Sequence, residues 1–189
     1  MPHRQPFLAL LKAYATRQPH SKELVESFSS FCQTHSACFE RSLAIGHFTG
    51  SAWLLNKDGT HVLLTHHKKL HRWLQLGGHA DGDPDIAAVA LREAQEESGI
   101  FDLQIEPEIF DIDAHLIPAR QSDAAHWHYD VRFLLRACSN EDFAVSGESH
   151  ALAWVDVTAL YNDPKTEPSL RRMAEKSLSI PIRKETANL

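Results

Sequence analysis

The stretch "GGHADGDPDIAAVALREAQEESGI", residues 77–100, reads as a loop, a helix and a helix stop. Asp83 is placed to cap the first free N–H groups, Pro84 suits the first helical position, and Asp85 complements the positive pole. A helix over 84–98 is therefore predicted. Ile86, Val89, Ala90 and Ala94 recur at helical spacing and form an apolar face for a sheet, and Gly99 ends the helix. Glu93, Glu96 and Glu97 then crowd its last turn, at the negative pole, where acids are unfavourable. The 93/96 and 93/97 pairs share a face, each like-charge pair costing roughly 0.2–0.5 kcal/mol. A local rule broken this often in one turn marks a site.

Three carboxylates in one turn make an oxygen donor set suited to hard cations, Mg²⁺ or Mn²⁺. Mg²⁺ is commonly shared between a few carboxylates and substrate phosphates, which points to phosphoryl or nucleotidyl chemistry. From spacing alone, a solvated acidic helix end is the equal alternative.

Outward from this stretch, 189 residues with 43% apolar and 23% charged content describe one globular domain, with room for a small extension. No apolar run approaches the roughly 20 residues of a membrane span, and the N-terminus has no signal-peptide pattern. Cys32, Cys38 and Cys138 are odd in number and match no zinc spacing, which favours a reducing cytoplasm. The net charge of −6 argues against general nucleic-acid binding. Residues 1–76 carry 9 Lys+Arg against 4 Asp+Glu, and residues 77–189 carry 10 against 21. The basic half ends in "THHKKLHRW" directly before the acids, an arrangement that suits an anionic substrate beside a cation, although charge alone is explained as well by a solvated basic turn next to an acidic surface.

Residues 1–40 read as a two-helix extension, with Phe7, Leu11 and Tyr14 in one helix and Leu24, Phe28, Phe31 and Cys32 in the next. "RQPHS" is the break, and Ser21 the expected cap. Two amphipathic helices need a cover for their apolar faces, either the core or a second subunit, so a homodimer stays open. Residues 41–189 form the main domain. "GHFTGSAWLLN" and "HVLLTHH" read as strands around an Asp-Gly turn. The helix follows, then strands in "EIFDIDAHLIPA", "WHYDVRFLLRA" and "ALAWVDV", and a final helix in "SLRRMAEKSL". Strands interleaved with helices indicate an α/β fold.

The spacing "GG-x5-P-x7-REAQEESGI" resembles the Nudix box, a Gly, five residues, Glu, seven residues, then Arg-Glu-apolar-x-Glu-Glu-x-Gly-apolar. Gly78, Arg92, Glu93, Ala94, Glu96, Glu97, Gly99 and Ile100 all fall on it, and the strand-turn-strand before it is similar too. Pro84 stands where the pattern has its first Glu, a supporting acid rather than an innermost metal ligand. The resemblance implies an α/β/α sandwich around a mixed sheet and hydrolysis of a diphosphate linkage in a nucleoside diphosphate derivative. It further implies that Glu93, Glu96 and Glu97 ligate the metal with the Gly77 carbonyl, that one glutamate serves as base, and that Arg92 orients them.

Further candidates are less specific. Glu148 lies in a loop before a strand, where related enzymes carry an extra acid, and an ordinary loop Glu is as good a reading. Lys68, Lys69 and Arg72 precede the box and are placed for substrate phosphates, as is His79, with solvated surface or local packing as the alternative. His126, His128 and Asp130 share one face of their strand and Trp127, Tyr129 and Val131 the other; one of these faces could line a base or sugar pocket, and the polarity of a half-buried strand explains the pattern as well. The 13 His are too scattered for a zinc site, and Trp73 is expected in the core. Two rivals remain: a silent nucleotide-binding module, and an isoprenoid diphosphate isomerase, which would need a catalytic Cys. The substrate, whether an NDP-sugar, a dinucleotide or a (d)NTP, is open.

Overall fold

The computed structural model describes residues 2–68, 71–119, 124–144 and 149–180. They form an α/β protein with a mixed sheet of seven strands. The chain folds as two compact units. One holds the chain up to Ala52 with Gly77–Glu93 and Ile105–Leu134; the other holds Trp53–Leu76, Ala94–Gln104 and the chain from Leu135 onward.

In the first unit, helices α1 (Gln5–Arg17) and α2 (Lys22–Thr34) are separated by a short 3-10 turn at Pro19–Ser21. Their apolar stripes are covered within the chain. Phe31 stacks on Tyr129 with ring centroids 4.1 Å apart, Phe28 meets Tyr129 edge-on at 5.3 Å, and Phe7 meets Phe48 at 4.9 Å. Each fully buried Phe is worth roughly 1.5–3 kcal/mol in removed apolar surface. Two expectations change. Val25 takes the buried position beside Phe28, and Leu24 is only half-buried, because the aromatic cluster lies to that side of the stripe. Ser21 precedes α2, but its side chain makes no capping bond.

Strand β1 (Gly46–Leu55) is buried along all ten residues, as expected of a strand covered on both faces rather than one with an alternating pattern. In the first unit its early part lies beside β6 (His126–Ala137), β6 beside β5 (Leu103–Ile117), and β4 (Leu76–His79) also pairs with β1. At Gly50 a Cβ would stand 2.9 Å from the Ile86 carbonyl and the Val89 side chain, so the missing side chain lets helix α3 (Ile86–Ser98) lie directly on the strand. Ile86, Val89, Ala90 and Ala94 are all buried, as their spacing predicts.

A charged knot lies inside this unit. Arg132 donates to Asp130 at 2.7 Å and to Asp111 at 3.1 Å, and its guanidinium is 3.5 Å from Asp113. Thr49 and Ser51 donate their hydroxyls to Asp130 at 2.9 and 2.7 Å. Burial alone would push the Arg132 guanidinium toward neutrality, but the charges of Asp130, Asp111 and Asp113 more than offset this and hold it charged. Asp130, read as a pocket-lining residue, is part of this support.

In the second unit β2 (His61–His67) pairs antiparallel with β3 (Arg72–Leu74) on one side, and β7 (Ser149–Asp156) also runs antiparallel along β2. Val157, expected to end the last strand, instead opens α4 (Val157–Asn162), because Asp156 accepts the Ala159 N–H at 2.7 Å and caps a helix there. Helix α5 (Pro168–Leu178) is capped by Glu167. Trp53 is fully buried and donates its indole N–H to Ser177 at 2.5 Å. Trp73 does not join a core; on the short β3 it is 38% exposed.

Candidate active site

Helix α3 begins two residues later than its sequence suggests. The first helical bond runs from the Val89 N–H to the Asp85 carbonyl at 3.0 Å, and the Asp85 carboxylate accepts the Ala88 N–H at 3.1 Å. Asp85 is therefore the cap. Asp83 instead accepts the Asp85 N–H at 2.9 Å in a local turn, so Pro84 sits in that turn rather than in the helix. At the other end the Gly99 N–H bonds the Gln95 carbonyl at 2.8 Å with φ of 73°, a left-handed stop that glycine adopts without strain.

The first unit gathers Gly78, His79, Arg92 and Glu93. A Cβ on Gly78 would run into the Glu93 carboxylate, so the absence of a side chain is what lets that carboxylate lie against β4. Arg92 Nη2 donates at 3.3 Å both to Glu93 Oε1 and to the His79 carbonyl. Gly77 is pressed on β1, where a Cβ would be 2.7 Å from Ser51 Cα and 2.8 Å from the Gly50 carbonyl. One turn beyond Glu93, where α3 enters the second unit, Glu97 is buried (8% exposed) and Glu96 is exposed. Arg72 and Lys68 are exposed residues of the second unit. Lys69 and Glu148 lie outside the described residues.

From sequence the 13 His are too scattered for a zinc site and His79, His126 and His128 take other roles, but the fold brings these three together with two more. His47, His79, His115, His126 and His128 gather in the first unit, with His47 ring centroids 5.0 Å from His79, 5.1 Å from His126 and 4.8 Å from His128. His115 lies 5.6 Å from His128. Burial, reinforced by the neighbouring imidazoles, pushes His47 down to about 4 and His128 down to about 2, so both rings are neutral at pH 7. The available signal was the alternation of His126 and His128 on one strand face. The third ring comes from a different strand, about 80 residues earlier in the chain, and no spacing rule reaches that far.

Residues 47–176 match the NUDIX domain family. Among solved structures the chain is similar to a NUDIX-family hydrolase from Clostridium perfringens, with 27% identity and a TM-score of 0.53, covering 70% of this chain and 95% of that one. It also resembles in fold a C. elegans Ap4A hydrolase (19% identity, TM-score 0.54, 68% and 93% covered). The same holds for the E. coli dihydroneopterin triphosphate pyrophosphohydrolase (17% identity, TM-score 0.54, 68% and 92% covered). No curated protein matches the chain. The chain belongs to the Nudix family, and it is an enzyme of that family.

Proposed function

We propose that this Nudix enzyme is a Mg²⁺- or Mn²⁺-dependent pyrophosphohydrolase that cleaves a diphosphate linkage in a nucleoside diphosphate derivative. The observation that carries the reading is the Glu93 carboxylate, laid against Gly78 and held by Arg92, one turn before the buried Glu97. Carboxylates withdrawn from solvent at the negative end of a helix have a reason to be there if they face a cation. Their oxygen donors fit a hard ion. Glu93, Glu96 and Glu97 would hold it, with the Gly77 carbonyl completing the protein's share.

A divalent ion bound there would polarise a phosphoryl oxygen and lower the pKa of water. Arg92 keeps the Glu93 carboxylate turned toward β4 by a charge-assisted bond. One glutamate of the trio, or Glu148, takes the proton of the attacking water, and the anhydride breaks into two phosphorylated products. His79, Lys69 and Arg72 are the candidates for the substrate's phosphates. The solved relatives named for Ap4A and for dihydroneopterin triphosphate act on compounds that share a phosphoric anhydride, the linkage proposed here. Residues 41–189 form the hydrolase domain, 1–40 its helical support, and a reducing cytoplasm suits three free thiols. Among the described residues no helix is long and apolar enough to cross a membrane.

The test is a screen of NDP-sugars, dinucleotides and (d)NTPs with Mg²⁺ or Mn²⁺, following phosphorylated products. Pro84, in place of the supporting acid, favours a second reading as a nucleotide-binding module. Tight nucleotide binding with no metal-dependent turnover would select it. The isomerase reading loses its nucleophile at two of three positions, since Cys32 and Cys38 are fully buried.

A further inference from the structure

We propose that His47, His126 and His128 form a second metal site, distinct from the glutamates of α3, for a nitrogen-preferring divalent ion of the Zn²⁺ class. One donor atom from each ring lies within 4.8 Å of the others. The strands set this up. His126 and His128 are alternate residues of β6, and the Trp127 N–H between them bonds the Ile45 carbonyl at 3.0 Å, a register that brings His47 of β1 alongside.

The distances suit coordination. The Nε2 atoms of His126 and His128 are 3.3 Å apart. Two nitrogens bound tetrahedrally at about 2.0–2.1 Å from Zn²⁺ are separated by about 3.3–3.4 Å. His126 Nδ1 lies 2.8 Å from the Ala124 carbonyl. As an N–H donor in that bond it leaves Nε2 as an acceptor, here facing His128 Nε2–H, and an ion would take the place of that proton; the Nδ1 bond is the orienting contact that metal-bound imidazoles usually make. His115 Nδ1 has a comparable partner in Asp113 at 3.1 Å, and its ring and that of His79 border the three as sources of a further ligand.

His47 supplies the independent observation. It is 2% exposed, and neither ring nitrogen makes a hydrogen bond of ordinary geometry; the backbone of Leu43 is the one partner within electrostatic reach, which leaves at least one ring nitrogen for a ligand. Buried polar atoms are nearly always satisfied, and an ion among the rings satisfies this one. The donors are all imidazole nitrogens, which suit Zn²⁺ and its later first-row neighbours, whereas Mg²⁺ and Ca²⁺ select oxygen.

The experiment uses the full chain without an affinity tag, stripped with chelator and desalted. Zn²⁺ is titrated by calorimetry, and Co²⁺ by visible absorption. One Zn²⁺ per chain is expected at the histidines, with a tetrahedral Co²⁺ spectrum that Zn²⁺ abolishes and excess Mg²⁺ does not. H126Q and H128Q should each weaken Zn²⁺ at least tenfold while the circular-dichroism spectrum is kept. These rings are only half-buried, so the test does not depend on replacing His47 in the core. E97Q should leave Zn²⁺ binding unchanged, which separates this site from the proposed hydrolytic one. Absence of Zn²⁺ uptake at micromolar concentration, or uptake equal to wild type in the H126Q/H128Q double variant, would overturn the proposal.

Discussion

Arg92 Nη2 stands 3.3 Å from Glu93 Oε1 and 3.3 Å from the His79 carbonyl, so one guanidinium nitrogen joins a carboxylate of α3 to the backbone of β4. Under the proposed function, this contact would hold Glu93 in place before an ion or substrate arrives. Preorganisation of this kind matters because a group that must be ordered during the reaction gives back part of its benefit.

Glu93→Gln and Glu97→Gln should each lower kcat by at least roughly 10²-fold, about 2.7 kcal/mol of transition-state stabilisation, with the fold unchanged. Excess EDTA should stop wild-type turnover. Arg92→Ala should cost less than either, since it removes an orienting contact and not a charge facing the ion. Steady-state kinetics with circular dichroism as a folding control would check all three, and near-normal rates in the Gln variants would refute the assignment.

Asp85 caps α3 while Asp83 closes the turn before it. Asp85→Ala should therefore cost on the order of 1 kcal/mol, and Asp83→Ala less. Pro84→Glu removes a rigid residue from the turn and restores an acid near the helix start; a higher kcat is expected, at a small loss in melting temperature. Denaturant titrations of the three variants rank the effects. An Asp83→Ala cost larger than that of Asp85→Ala would mean the cap is misassigned.

Acid should weaken the metal-free protein through the histidines. His47 and His128 are depressed to about 4 and about 2 from an ordinary 6.5. The unfolded chain takes up their protons below about 6.5 while the folded chain does not, so the unfolded state binds more protons and stability falls as pH falls. For His47 the loss begins near 6.5 and continues to about 4. Urea unfolding in EDTA at pH 7.5, 6 and 5 should show the decline, and His128→Gln should flatten it relative to wild type. An unchanged slope in that variant would show that the ring is freely protonated in the fold.

Residues 5–34 should behave as part of the first unit's core. Phe31, stacked on Tyr129, should cost about 3–5 kcal/mol when changed to Ala. Leu24→Ala, at a half-buried position of the same helix, should cost less than half as much. Equal losses, or none at Phe31, would mean that α2 does not rest on the strands as described.

The 3.6-residue spacing of Ile86, Val89, Ala90 and Ala94, the alternation in β6 and the concentration of acids at 93–97 were legible in the chain, because each pattern repeats within a few residues along one element. The α/β class followed from the order of such elements, and the family from fixed residues between 78 and 100. Whether Asp83 or Asp85 caps α3 was not legible, since both can cap and the choice rests on which backbone N–H the turn leaves free. Trp73 and Leu24 were misjudged for a similar reason: apolarity alone does not say on which side the sheet or aromatic cluster will lie. The histidines show the limit most clearly. His126 and His128 share a face by local geometry, but His47 reaches them only through the pairing of β1 with β6, and a contact between residues so distant in sequence exists only once the sheet has formed.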